Sequence, residues 1–120
     1  MRIDGVVVLY NPNADAVDNI KRYNSFLNKV FVIDNSTKVD DEIVKEIKKI
    51  SNVNYISLNG NQGIAKALRV GLAEAIKDNA DMCLTMDQDS QFPSQDIDVV
   101  LDYLNKYKDE YAIIGLNFNS

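Results

Sequence analysis

The sequence predicts an α/β fold, a three-layer sandwich around a mainly parallel sheet, built as one domain of 120 residues. Three observations predict it. Short apolar runs rich in β-branched residues recur along the chain. Each run stops at a cluster of Asn, Asp, Gly, Pro or Ser, and an amphipathic stretch of helical spacing follows. The first run, Val6 to Tyr10, lacks polar alternation, which suits a strand covered on both faces.

Val6-Val7-Val8-Leu9-Tyr10 is the first such run, ended by Asn11-Pro12-Asn13. From Ala14 to about Leu27, Val17, Ile20, Tyr23 and Leu27 recur at helical spacing. Val30-Phe31-Val32-Ile33 is the second strand, stopped by Asp34-Asn35-Ser36. A helix with Ile43, Val44, Ile47 and Ile50 on one stripe follows, and Thr37 and Asp40 have the spacing of a capping box. The third strand runs from Val53 to Leu58 and ends at Asn59-Gly60-Asn61-Gln62-Gly63. Ile64, Leu68, Leu72, Ala75 and Ile76 mark a third helix, in which Gly71 permits close packing on the sheet. Met82 to Met86 is the fourth strand, a helix capped by Ser94 carries Ile97 to Tyr107, and Tyr111 to Leu116 is the fifth strand. This alternation, without linker or repeat, is Rossmann-like.

Composition narrows the function. At 46% apolar and 26% charged the chain can bury a core and is neither a disordered nor a membrane-embedded sequence. No apolar run reaches the roughly 18 residues of a membrane span, and the N-terminus lacks a signal-peptide pattern, so a soluble cytoplasmic protein is expected. A net charge of −5 argues against a nucleic-acid partner. With a single cysteine, Cys83, and no histidine, internal disulfides, Cys-rich zinc sites and His-based nucleophile pairs are excluded. Cys83 itself sits in an apolar strand and reads as core. Any metal must be hard and held by oxygen, which points to Mg²⁺ or Mn²⁺.

In an open α/β sheet, ligands bind beyond the carboxyl ends of the strands. Four exits carry polar residues: Tyr10-Asn11-Pro12-Asn13, Asp34-Asn35-Ser36, Asn59 to Gly63, and Asp87-Gln88-Asp89-Ser90. Turn chemistry alone favours the same residue types. With 14 Asp in the chain, about 1.6 Asp-x-Asp triplets arise by chance, so that pattern means nothing by itself. A second copy, Asp96-Ile97-Asp98, falls in a predicted helix and reads as a solvated first turn. Position distinguishes Asp87 and Asp89, which follow directly on an apolar strand. Two neighbouring carboxylates there demand a cation, and a divalent ion with a diphosphate would satisfy them. Asp34 can accept from a base or ribose, or cap its own turn. Asn61-Gln62-Gly63-Ile64-Ala65-Lys66 opens a helix with glycine, small residues and one cation, a usable anion site. Lys66 and Arg69 can meet phosphates or simply lie in solvent.

These blocks together resemble the N-terminal half of a family 2 glycosyltransferase of the GT-A fold, nearest to rhamnosyltransferase-like enzymes of cell-surface polysaccharide synthesis. The resemblance rests on Val7-Val8-Leu9-Tyr10-Asn11-Pro12, Val32-Ile33-Asp34-Asn35-Ser36, Asn61-Gln62-Gly63-Ile64-Ala65-Lys66-Ala67-Leu68 and Leu84-Thr85-Met86-Asp87-Gln88-Asp89-Ser90. It implies a donor site for a UDP- or dTDP-linked sugar and a saccharide or lipid-linked acceptor. Tyr10 and Asn11 would border the nucleotide, with Asn61, Gly63 and Lys66 part of the same site. Asp34 would contact the base, Asp87 would sit near the ribose or sugar, and Asp89, with Asp87, would hold the metal against the diphosphate. Where this chain has Arg69 the family often has Asn.

Family members are typically more than twice this length, and their second half supplies the acceptor site and general base. The resemblance therefore implies a donor-binding portion with its base beyond residue 120, little sugar transfer by these residues alone, and peripheral membrane attachment through a later segment. A sheet ending at Leu116 leaves an open edge, to be covered by a partner or by a second copy in a homodimer. A non-catalytic domain that keeps the fold and pairs with a partner is the alternative. A receiver-like signalling domain fits less well, because its first strand would end in acids rather than Asn and Pro.

Overall fold

The computed structural model describes residues 2–88 and the backbone of 112–116. Five strands, β1 (Ile3–Leu9), β2 (Val30–Asp34), β3 (Val53–Ser57), β4 (Met82–Asp87) and β5 (Ala112–Leu116), form one sheet in the order β3-β2-β1-β4-β5. All four pairings are parallel. Three helices, α1 (Asp15–Tyr23), α2 (Asp41–Lys48) and α3 (Ile64–Lys77), connect the first four strands. The expected helix from Ser94 to Tyr107 lies outside the described residues, as do Asp96 and Asp98.

The three layers follow from chain direction. Strand order moves outward from β1 to β2 to β3, then reverses to place β4 on the far side of β1. Crossovers of fixed hand must put helices on opposite faces when direction reverses. Accordingly, Val17, Ile20 and Tyr23 of α1 and Ile43 and Ile47 of α2 share one core with Val7, Leu9, Val32, Leu84 and Met86. Ala67 and Ala75 of α3 share the other with Val6, Val8, Phe31, Ile33 and Cys83. Odd and even residues of β1 thus face different helical layers, as the two-residue period of a strand requires. Cys83 is fully buried, and burial pushes its thiol up to about 12. It is part of the core.

Four local expectations are corrected. The first strand begins at Ile3 and stops at Leu9, so Tyr10 belongs to the turn. The first helix ends at Tyr23 and continues only as a short 3-10 turn, Asn24–Phe26. Helix α2 is capped by Asp40, whose Oδ1 accepts from the N–H groups of Glu42 and Ile43; Thr37 bonds Asn11 instead of forming a capping box. In α3 the stripe facing the sheet is Ala67, Gly71 and Ala75, while Ile64 and Ile76 are exposed. The helix lies too close to the sheet for large side chains on that stripe.

Candidate functional site

An all-parallel sheet sends every carboxyl end to one edge, so the exits of β1, β2, β3 and β4 lie side by side. The connections from β1 and β4 depart in opposite directions, because β1 leads towards β2 and β4 towards β5. That divergence makes the β1/β4 boundary the switch point, the place where α/β sheets bind ligands. Tyr10 and Asn11 border it from β1. Asp87, the last residue of β4, pairs in register with Val8. Asp89 lies outside the described residues.

The exits are tied to one another by side chains. Asn11, held at φ 41°, is the hub between β1 and the loop after β2. Its Oδ1 accepts from the N–H groups of Thr37 and Lys38, both at 3.0 Å. Its own N–H donates to Ser36 Oγ at 2.8 Å, and its Nδ2 to Thr37 Oγ1 at 3.1 Å. Asn is one of the few side chains at ease in this left-handed conformation, and its amide serves both loops. Next along the edge, Asn35 accepts from the Gln62 N–H at 2.7 Å and donates to Asn61 Oδ1 at 3.1 Å. Asn61 Oδ1 also accepts from the Gly63 N–H at 2.9 Å.

Asp34 closes β2 and is buried, at 3% exposure. One oxygen accepts from the Ser36 N–H at 3.0 Å and the other from the Tyr55 hydroxyl. Burial, then the Asp34 carboxylate, pushes the Tyr55 phenol above its ordinary range. Lys48 Nζ stands over the same ring, 5.3 Å from its centre, a cation–π contact. Each Asp34 oxygen keeps a second lone pair for a further donor.

Gly63 precedes α3 at φ 88°, a conformation that side chains rarely adopt, although nothing stands within 4 Å of where its Cβ would be. Glycine is needed there for the backbone, not for space. The first N–H groups of α3 have no side-chain cap. Lys66 and Arg69 are exposed on the outer side of α3 and line an open groove of about 430 Å³ with Val70 and Ala73. A second depression, of about 540 Å³, lies between Asn11 and Pro12 on one side and Lys38, Val39, Asp40 and Asp41 on the other. The structure therefore brings Tyr10, Asn11, Asp34, Asn61 and Gly63 to one edge and sets Lys66 on a neighbouring helix face.

Several residues of this edge escape a local reading of the sequence. Tyr55 and Lys38 carry no motif. Asn19 does leave a signal: it falls on the buried stripe of α1 between Ala16 and Tyr23 and is itself buried. A polar residue on an apolar stripe marks a specific partner, here the backbone oxygen of Gln88.

Among the described residues no three carboxylates or thiols converge as a metal site, and no helix is long and apolar enough to cross a membrane.

The chain is 31% identical over 107 residues to the dTDP-rhamnosyl transferase RfbF of Shigella flexneri, an alignment covering 86% of this chain and 34% of that protein. The chain thus matches about a third of the length of this curated relative. The family model described as glycosyl transferase family 2 matches residues 11–118, from the Asn11 hub through β2, β3 and β4 and on past β5. The chain belongs to glycosyl transferase family 2.

Proposed function

We propose that this chain is the donor-binding portion of a glycosyltransferase that moves a sugar from a nucleotide diphosphate to a saccharide or lipid-linked acceptor. The observation that carries the reading is the β1/β4 switch point, with Asn11 on one lip and the acidic β4 exit on the other, in a chain of this family. The relative named as a dTDP-rhamnosyl transferase supports a dTDP-linked donor, with a UDP-linked one the next choice. In this reading Tyr10 and Asn11 border the nucleotide, and Asp34 receives a donor from the base on its remaining lone pairs. Asn61 and Gly63 shape the turn into α3, and Lys66 supplies a cation in its first turn, where negative charge is favoured.

Asp89, with Asp87, is assigned the metal. The donor chemistry of that exit, two carboxylates and no sulfur or imidazole, fits Mg²⁺ or Mn²⁺. A bound ion would neutralise charge developing on the departing diphosphate. No general base is assigned, and turnover by these 120 residues alone is expected to be low. A cytoplasmic location, with peripheral attachment at the inner membrane face in a longer protein, suits such a donor; a homodimer through a sheet edge is a further expectation.

One observation favours a second reading. Asn11, Asp34, Asn35, Ser36 and Asn61 are all engaged by each other or by loop backbone, so a non-catalytic domain would also hold them. Calorimetric titration of dTDP and UDP, with Mn²⁺ and with chelator, separates the two. Binding that needs both the metal and Asp89, and is lost in Asp89→Ala, supports the donor site. A folded chain that binds neither nucleotide supports the second reading.

A further inference from the structure

We propose that Gln88 and Asn19 are positioning residues that fix the β4 exit, where Asp87 ends the strand, against the β1 turn. The inference rests on the donor-site reading above. Asp87 occupies the last rung of the β1–β4 ladder, opposite Val8. One residue later, where main-chain pairing has ended, Gln88 continues the attachment by other means. Its Oε1 accepts from the Tyr10 N–H at 2.8 Å, a contact between residues 78 apart in the chain. Its backbone oxygen accepts from Asn19 Nδ2 at 3.0 Å.

The two bonds come from different elements and restrain different degrees of freedom. The Tyr10 bond ties the Gln88 side chain to the turn after β1. The Asn19 bond anchors the peptide after Gln88 to the buried face of α1. Asn19 stands on that face among Ala16, Val17, Ile20 and Tyr23, where an apolar residue would fill the space without needing a partner. A buried amide is retained only where its hydrogen bonds are met, and this one meets the peptide oxygen that directly precedes Asp89. The residue between the two acids is thus held on both its side chain and its main chain. A neutral amide also suits this position. Glutamate could accept the same bond but would place three negative charges in succession.

Outer contacts that orient metal-binding carboxylates typically alter metal affinity by about ten- to a hundredfold when removed. The test titrates Mn²⁺ with dTDP, by calorimetry and by the Mn²⁺ electron-spin signal, into the 120-residue chain and into Asn19→Leu, Gln88→Ala and Gln88→Glu. Amide exchange at Tyr10 is followed alongside. We expect metal-dependent affinity to fall at least about tenfold in Asn19→Leu and Gln88→Ala, with metal-free nucleotide affinity unchanged. Tyr10 amide protection should be lost in Gln88→Ala and kept in Gln88→Glu. Unchanged metal-dependent affinity in a folded Asn19→Leu or Gln88→Ala chain overturns the inference and leaves the donor site standing. If Asn19→Leu fails to fold, Gln88→Ala, on an exit loop, decides alone. An unmodified chain that shows no metal-dependent binding overturns the donor-site reading, and the inference with it.

Discussion

Gly71 of α3 rests directly on Val6 of β1. A methyl group added to Gly71 would meet three Val6 atoms, with Cβ at 3.2 Å, Cγ2 at 3.0 Å and Cγ1 nearer still. Val6 is fully buried on the central strand, so it has nowhere to move. Gly71→Ala would ordinarily gain about 1 kcal/mol from helix propensity. Here overpacking, typically about 1–3 kcal/mol, outweighs it. We expect net destabilisation of Gly71→Ala in urea unfolding, and partial recovery when Val6→Ala is added. A more stable single variant would show that α3 can lift off the sheet.

Tyr55 and Asp34 make a second pair that can be tested. Removing the phenol hydroxyl in Tyr55→Phe leaves a buried carboxylate oxygen without its donor, which costs about 1–3 kcal/mol. The ring, its packing and the Lys48 contact are retained. Denaturant unfolding of Tyr55→Phe should show that loss without a change in slope. Under the donor-site reading the freed oxygen is also less well aimed at a base, so nucleotide affinity falls as well. Unchanged stability would mean that water replaces the hydroxyl at no cost.

Asn11 combines a left-handed backbone with four hydrogen bonds to the loop after β2. Replacing it separates the two contributions. Asn11→Gly loses the side-chain bonds but tolerates φ 41°; Asn11→Ala loses them and adds left-handed strain of about 1–2 kcal/mol. The order of thermal stability should be Asn, then Gly, then Ala. Both variants should free the Thr37 and Lys38 amides to exchange. Equal stability of the Gly and Ala variants would show that the turn relaxes out of the left-handed region.

The same contrast between local and distant cues explains what the sequence discloses. Strand β2 is an uninterrupted apolar run up to Asp34, while β3 and β4 are apolar-rich runs that include Asn54 and Thr85, and each is legible within a residue or two. The parallel arrangement, and hence the gathering of four exits on one edge, follows from strand–helix alternation. The first residues of β1 were hidden because Asp4 and Gly5 interrupt the apolar pattern; Asp4 is tolerated there only through partners on the segment before β2. Likewise, the buried face of α3 is chosen by proximity to Val6, not by hydrophobicity. The roles of Asn19, Tyr55 and Gln88 depend on partners 21 to 78 residues away, which no local period encodes.

Asp4, at the opposite edge of the sheet, sets the pH dependence. It is fully buried. Its Oδ1 accepts from Asn28 Nδ2 at 3.1 Å and the Lys29 N–H at 3.2 Å, while Oδ2 has no hydrogen-bond partner among the described residues. Asn28 Nδ2 also donates to Asp78, which pairs with Lys29 Nζ at 2.7 Å. Burial first, then the Asp78 carboxyl, raises Asp4 to about 6, whereas Lys29 above all holds Asp78 below its usual range. Between the ordinary carboxyl range and about pH 6, the folded chain therefore keeps a proton on Asp4 that the unfolded chain has released. The stabilisation from Asp4 is complete below the ordinary carboxyl range and is lost as pH rises through about 6. Asp78 acts oppositely, and its contribution disappears on acidification below the ordinary range. Unfolding free energy should thus peak on the acid side of neutrality and fall by on the order of 2–3 kcal/mol towards pH 8. Asp4→Asn keeps the oxygen acceptor and removes the ionisation, so its stability should be flatter above pH 5 and exceed that of the unmodified chain at pH 8. Urea unfolding at pH 4.5, 6 and 8 checks both statements. Stability that rises between pH 6 and 8, or an Asn variant weaker at pH 8, would mean that Asp4 is ionised in the folded chain at no cost.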